Sequence, residues 1–435
     1  MFKKRITKKL EKYVKKYFKQ HQNIKLIVVA GSVGKTSSKL AIATLLNEKY
    51  RVRLHTGNHN THLSAPIAIL GIDYPGNPRS FWEWHKVFKA ARKRIKSPFE
   101  NEPQVIIQEL GTDRPGDIER FSDYLLPDIA VITAVTPEHM EFFENMNAVA
   151  REELSAANFA KIAILNRDAI SSEYSNLITN PNFSTYGTTV SAEYSFEVDD
   201  LNLVEGYIGK MNTAEFGQIP VKIKVFGEHS LLPVTSAVAV AAKMGLASDE
   251  IISGLAKIQP VFGRMNFLRG VEDSILIDDT YNSSPAAAEA ALRTLYNLHV
   301  PSRIAILGDM NELGAISAVE HQKIGNFCDP LSLSWVITVG DKANQFLAAA
   351  ARNRGCQVKT CANAIEAATF ARKVMEKGCA ILLKGSQGGI FLEEATKILL
   401  KDKSDISKLV RQDEKWVCEK NDFFETFSNF EEDEV

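Results

Sequence analysis

Gly31, Gly34, Lys35 and Thr36 stand within six positions of one another, and together they are the parts of a phosphate site. Two glycines let the backbone turn its N–H groups toward an anion at the start of a helix. A lysine there reaches terminal phosphates, and a threonine hydroxyl ligates the accompanying Mg²⁺. Ser32, Val33 and Ser37 complete the cradle. The loop is the short GxxGK[ST] form, because Val29 stands where the longer pattern has its first glycine. The chemistry this predicts is that of ATP or another nucleoside triphosphate.

The elements that must hold this loop are legible around it. Leu26–Ala30 is an unbroken apolar run, which reads as a parallel strand buried on both faces. A helix follows from Ser37 to about Asn47. Arg51–Thr56, Gln104–Leu110, Asp128–Thr133 and Lys161–Asn166 repeat the strand pattern, with helices over 81–96 and 147–159. Alternation of this kind predicts a parallel sheet covered on both faces, which binds ligands at strand C-terminal ends. Glu109 and His139 stand at or just past such ends. Residues 183–226 alternate without helical signal and predict an antiparallel flap, and helices follow over 230–244 and 248–257. The apolar runs Ser274–Ile277, Arg303–Leu307, Trp335–Val339 and Ala380–Leu383 then predict a second, smaller doubly wound domain. The fold class is therefore α/β, in four parts: a basic helix over 1–22, a nucleotide-binding domain over 23–260, a Rossmann-like domain over 261–420 and a tail over 421–435.

The whole chain has 435 residues, a formal net charge of −1 and 45% apolar residues. That is an ordinary globular composition, and it argues against a nucleic-acid binder. Five cysteines without CxxC spacing read as reduced thiols, and the absence of an apolar run of ~18 residues points to a cytoplasmic protein. The ends depart from the average. Residues 1–20 hold nine Lys or Arg against one Glu, with Phe2, Ile6, Leu10, Tyr13, Val14, Tyr17 and Phe18 on one helical face. Such a helix either docks on the first domain with its lysines in solvent, the favoured reading, or contacts an anionic membrane surface. The acidic stretch 421–435, with Phe423, Phe424, Phe427 and Phe430, reads as a disordered tail or a short helix meeting a basic surface.

Ten segments carry a resemblance: AGSVGKTSSK (30–39), GNHNTHLSAP (57–66), QELGTDRPGDI (108–118), HMEFF (139–143), ILN (164–166), GEH (227–229), FGR (262–264), IDDTYNSSP (277–285), LGDMNELG (307–314) and LLKGSQ (382–387). In this order they resemble the Mur ligases, ATP-dependent amide ligases of peptidoglycan assembly, and most closely the MurF type, which adds D-Ala-D-Ala to UDP-MurNAc-tripeptide. The resemblance implies a P-loop central domain and a Rossmann-like C-terminal domain. It also implies activation of a carboxylate as an acyl phosphate, followed by amine attack. By the same resemblance Lys35, Glu109 and His139 are catalytic, and Thr36, Glu109 and His139 hold Mg²⁺. Arg264, Asp279 and Asn282 meet the nucleotide from the second domain. Asn58, Asn60, His62, Lys384 and Ser386 fall in substrate regions.

Three departures from that pattern matter. The family's carbamylated lysine, whose oxygens bind a second Mg²⁺, is absent from Ala148–Leu154. Glu152 or Glu153 stands in its place, and Glu153 is taken as the catalytic candidate. Ser230 and Pro233 replace asparagines after Gly227–His229. The family's UDP-sugar domain, a unit of ~80–100 residues, has no counterpart before the first strand, so the expectation divides: a partner chain supplies UDP recognition, the substrate is held more loosely, or the substrate is not UDP-MurNAc-peptide. Two other functions stay open: a related ligase or amidotransferase subunit acting on a lipid-linked acceptor, and a non-catalytic ATP-binding partner.

Overall fold

The computed structural model describes residues 2–55, 59–137, 140–202 and 206–428. Contacts divide the chain into two compact units. The first comprises residues up to Thr136, Phe142–Lys224 and His229–Ile258; the second comprises Pro137–Glu141, Val225–Glu228 and everything from Gln259.

In the first unit the described residues form a nine-stranded sheet. Its elements in chain order are α1 (Phe2–Gln20), β1 (Lys25–Ala30), α2 (Lys35–Leu46), β2 (Val52–Leu54), α3 (Ala65–Leu70), α4 (Phe81–Ile95), β3 (Val105–Glu109), β4 (Ile129–Ile132), α5 (Met146–Asn158), β5 (Ile162–Asn166), β6 (Phe183–Gly187), β7 (Tyr194–Asn202), β8 (Gly206–Thr213), β9 (Gly217–Ile223), α6 (Leu231–Lys243) and α7 (Ser248–Ala256). The sheet runs β2-β3-β1-β4-β5-β6-β7-β8-β9. β1 lies parallel between β3 and β4, with Val29 opposite Glu109 and Ala30 opposite Ile132. Strands β1, β3 and β4 are buried almost throughout, which explains why their sequences are continuous apolar runs. β9 instead alternates buried and exposed residues, as a strand with one wet face must.

The flap differs from its sequence reading at one edge. β6 pairs parallel with β5 and with β7, and only β7, β8 and β9 are antiparallel. Ala65–Leu70 is a short helix with Pro66 near its start and Gly71 as its left-handed stop. Both are positions these residues favour.

α1 is docked. Leu10, Val14 and Tyr17 are fully buried, and Ile6 and Leu10 pack with Ile67, Trp84 and Val87 of α3 and α4. The Tyr17 hydroxyl donates to Glu102 Oε2 at 2.6 Å, and Arg53 and Arg94 close on the same carboxylate at 2.7 and 3.2 Å. No helix among the described residues is long and apolar enough to cross a membrane.

The second unit carries β10 (Asn266–Arg269), β11 (Ile275–Asp279), α8 (Pro285–Tyr296), β12 (Arg303–Gly308), α9 (Ser317–Phe327), β13 (Trp335–Val339), α10 (Ala348–Asn353), β14 (Val358–Cys361), α11 (Ala364–Val374), β15 (Ala380–Lys384), α12 (Leu392–Leu399) and α13 (Glu414–Ser428). Its described residues form a six-stranded sheet, β10-β11-β15-β12-β13-β14, parallel except for β10. One apolar layer includes Leu292, Ile324 and Leu347 with Ile277 and Leu382; the other includes Ala368, Leu392 and Leu399 with Ile306 and Leu383. The sheet is thus covered on both faces. All five cysteines are free thiols, four of them buried. The stretch read as an acidic tail is helical to Ser428, and its Phe423 and Phe424 pack against Phe391. Phe430 and the rest of 429–435 lie outside the described residues.

Candidate functional site

The phosphate loop is built where β1 ends and α2 begins. Gly31 has φ +124°, and a Cβ there would come within 2.7 Å of Ala134 N. Gly34, at φ +85°, caps the helix in the left-handed region, which favours glycine. Ser32 straddles the gap to β4: its N–H donates to Ala134 O at 2.9 Å, and its Oγ accepts from Thr136 N at 3.0 Å. Lys35, the first residue of α2, lays its ammonium on the carbonyls of Gly31 and Ser32, 3.1 Å from the latter.

Glu109, at the tip of β3, reaches the same place. Thr36 Oγ1 donates to its Oε2 at 3.2 Å, and Asn60 Nδ2 approaches Oε1 at 3.5 Å. The structure adds a residue not singled out from the sequence. Lys39 is buried and pairs with Glu109 Oε2 at 3.2 Å, both side chains being 5% exposed. Its signal is its spacing: Lys39 lies four residues after Lys35, on the same face of α2. A buried carboxylate thus sits among a lysine, a hydroxyl and an amide, all donors aimed at one point.

The two glutamates of α5 part ways. Glu153 is buried and its Oε2 accepts the Gly31 N–H at 2.8 Å, so it touches the phosphate loop itself. Glu152 turns to the segment after β3, accepting from Gly116 N and Ile118 N at 2.6 Å each. Burial raises its pKa despite those two bonds, which lower it. It lines a cleft of about 960 Å³ with Pro115, Phe142, Asn145 and Arg151.

Other expected residues fall into separate places. His62 stacks on Phe121 at 4.2 Å, and its Nε2 meets Asp117 O at 2.8 Å. It packs the 117–124 segment rather than joining Glu109, and burial lowers its pKa. Asn58 and His139 lie outside the described residues.

In the second unit, Asp279, Asn282, Lys384 and Ser386 form one cluster. Asp279 and Lys384 end neighbouring strands in register, and Lys384 Nζ lies 2.7 Å from Asp279 Oδ2, both buried. The ammonium also donates to Asn282 O at 2.9 Å. Ser386 Oγ donates to Ser283 O at 3.2 Å and accepts from Asn311 N at 2.9 Å. Asp279 Oδ1 takes the Met265 N–H at 3.2 Å, and next to it the Arg264 guanidinium lies 4.3 Å over the Tyr281 ring. Here the carboxylate expected to meet a nucleotide is committed to a lysine and a backbone N–H. Asp278, fully buried, is pushed up to about 7 by its burial first, and then by the neighbouring charges of Asp279 and Glu393.

Comparison with known proteins gives this geometry its relatives. Residues 29–241 match the family model of the Mur ligase middle domain, and residues 263–387 match that of the Mur ligase glutamate ligase domain. The chain is 27% identical over 400 residues to the UDP-N-acetylmuramoyl-tripeptide–D-alanyl-D-alanine ligase of Bacillus subtilis strain 168, covering 90% of this chain and 79% of that protein. Among solved structures it is similar in fold to MurF from Acinetobacter baumannii, with a TM-score of 0.74, 23% identity and coverage of 90% and 80% of the two chains. It is similar also to the MurF ligase from Thermotoga maritima in complex with ADP, with a TM-score of 0.73, 22% identity and coverage of 92% and 84%.

Proposed function

The chain belongs to the Mur ligase family, and on that premise we propose that it is the ATP-dependent ligase that joins D-Ala-D-Ala to UDP-MurNAc-tripeptide, in the cytoplasm. One observation carries the reading: Lys35, Lys39, Thr36 and Glu109 converge at the tips of β1 and β3, where a strand–glycine–helix turn can seat a triphosphate. In the reaction, an oxygen of the substrate carboxylate bonds to the γ-phosphorus and the bond to ADP breaks. The amine then bonds to the acyl carbon of the acyl phosphate, losing a proton, and phosphate leaves. Both steps gather negative charge, so fixed positive groups and N–H donors lower the barrier.

The residues present fit Mg²⁺. The Thr36 hydroxyl and the Glu109 carboxylate, 3.2 Å apart, are hard oxygen donors of the kind it takes, and it keeps several ligands from phosphate and water. When bound, Mg²⁺ neutralises charge on the phosphate oxygens. Lys35 does the same from the loop, and Lys39 is a positioning residue that holds Glu109 against it. Glu153 is the carboxylate that takes the place of the missing lysine, because it touches Gly31 while Glu152 does not.

Phosphate release from ATP with UDP-MurNAc-tripeptide and D-Ala-D-Ala, run with hydroxylamine to trap the acyl phosphate as a hydroxamate, tests the reading. Release that needs the tripeptide and yields the hydroxamate supports it. Nucleotide binding without turnover, or turnover only with ammonia or glutamine on a lipid-linked acceptor, overturns it.

A further inference from the structure

The chain as a whole carries a formal net charge of −1, yet one surface concentrates its positive charge. All nine Lys and Arg of α1 are exposed, while its apolar residues Ile6, Leu10, Val14 and Tyr17 are buried. Its one acid, Glu11, is paired with Arg120. The neighbouring helix α4 has the same plan. Trp84, Val87 and Ala91 are buried, and Lys86, Lys89, Arg92 and Lys93 are exposed. The two helices meet at a seam where Lys9 Nζ lies 3.9 Å from the Phe88 ring centroid and the Tyr13 ring meets the same ring, tilted, at 6.0 Å. Positions one turn from Lys9 or Tyr13 on one helix, Arg5, Lys12 and Lys16, and one turn from Phe88 on the other, His85 and Arg92, are all exposed and look outward together.

The helices run parallel. Glu102 receives Tyr17 from the last turns of α1 and Arg94 from the last turn of α4, so their C-terminal ends meet there. Phe2 and Phe81 each stand seven residues before the contact of Lys9 with Phe88, about 10 Å toward the N-termini at the helical rise. Both are exposed, at 48% and 66%, and Trp82 beside them is 75% exposed. Three large rings thus stand at one end of a two-helix basic face. Soluble surfaces seldom leave such rings together without use.

We propose that the α1–α4 face binds an anionic lipid bilayer, with its lysines and arginines on the headgroup phosphates and Phe2, Phe81 and Trp82 inserted at the interface. Basic side chains near an anionic leaflet are drawn to it, and amphipathic rings settle at headgroup level. Duplex nucleic acid would use the lysines but offers these exposed rings no apolar phase to enter, and the rings decide for lipid. This inference stands apart from the ligase reading, since its test measures binding and not turnover.

The test is co-flotation of the full chain with vesicles of phosphatidylcholine containing about one-third phosphatidylglycerol, against pure phosphatidylcholine, at low and high salt. Expected are binding to the anionic vesicles alone, weakened by salt, and a fall in partition of about a hundredfold for K12A/K16A/R92A, three charges at roughly 1 kcal/mol each. Phosphatidylcholine brominated on its acyl chains, mixed into the same anionic vesicles, should quench tryptophan fluorescence in the parent and not in W82F. This measurement on a single exposed ring serves even if the triple variant folds poorly. Equal partition to neutral vesicles, an unchanged triple variant of parental melting temperature, quenching that survives W82F, or tighter binding to duplex DNA than to vesicles at equal phosphate would overturn the proposal.

Discussion

Two carboxylates occupy equivalent places in the two sheets and are held in opposite ways. Glu109 ends β3 beside β1, and Asp279 ends β11 beside β15; each is buried and each is paired with a lysine. Asp279 is fully committed, with Lys384 at 2.7 Å on one oxygen and the Met265 N–H on the other. Glu109 has longer contacts, at 3.2 Å to Lys39 and Thr36 and 3.5 Å to Asn60. Its lysine arrives from a helix that also carries the phosphate loop, whereas Lys384 arrives from the adjacent strand, in register. The same topological position therefore holds one carboxylate in a lock and the other in looser contacts. What differs is where the countercharge is anchored.

The contrast breaks first under lysine replacement. Lys384→Met leaves Asp279 buried without its cation and should cost about 3–5 kcal/mol of stability, read as a lower urea midpoint with unchanged m. D279N/K384M should recover much of that loss. Lys39→Met should cost less in stability, because Thr36 and Asn60 still reach Glu109, and should instead raise the Mg²⁺ concentration needed for phosphate release. Equal midpoints for the two single variants would erase the distinction drawn between the units. Lys35→Ala tests the donor side directly: phosphate release should fall about 10²–10³-fold, with the melting temperature near that of the parent.

These two arrangements are legible in the sequence to different depths. The parallel sheets can be read because strands such as Leu26–Ala30 and Ala380–Leu383 are buried on both faces and so carry no polar alternation. The phosphate loop can be read because its parts are adjacent in sequence. Lys39 escapes such a reading, though four residues from Lys35, because a lysine in a helix is ordinarily a solvated one and only burial against β3 gives it a role. The Asp279–Lys384 pair joins residues more than a hundred positions apart, and strand order, which no local pattern encodes, creates it. β6 misleads for a related reason. A five-residue strand followed by turns looks like the start of a hairpin, and its parallel pairing with β5 depends on how the chain returns to that edge. The docking of α1, by contrast, follows from its apolar stripe, and the structure places Leu10, Val14 and Tyr17 in the core as that stripe requires.

Asp278, next to the lock, sharpens the contrast through pH. Its folded pKa of about 7 lies above the unfolded value of 3.8, so the native state holds the proton more tightly. The stability this contributes is complete below about pH 3.8 and is lost as pH rises through about 7. Asp278→Asn mimics the neutral acid, and its amide oxygen can still accept from Thr280. The variant should match the parent in acid and be more stable at pH 8 by about 1–4 kcal/mol, at about 1.4 kcal/mol for each factor of ten in proton affinity. Urea titrations at the two pH values measure it.

The smallest effects separate the neighbouring glutamates of α5, and they carry the contrast down to single oxygens. Glu152 accepts a backbone N–H on each oxygen. Glutamine offers one acceptor there and turns its amide N–H₂ against the other donor, so Glu152→Gln should cost about 1–3 kcal/mol of stability and leave the Mg²⁺ dependence alone. Glu153 accepts from Gly31 through Oε2, a bond that a glutamine oxygen reproduces. Glu153→Gln should therefore melt near the parent while the Mg²⁺ requirement of phosphate release rises about tenfold, the size expected for loss of a group that orients a metal site. If both variants lose stability and neither shifts the Mg²⁺ titration, Glu153 is a second lock like Asp279, and the metal chemistry belongs to Glu109 without it.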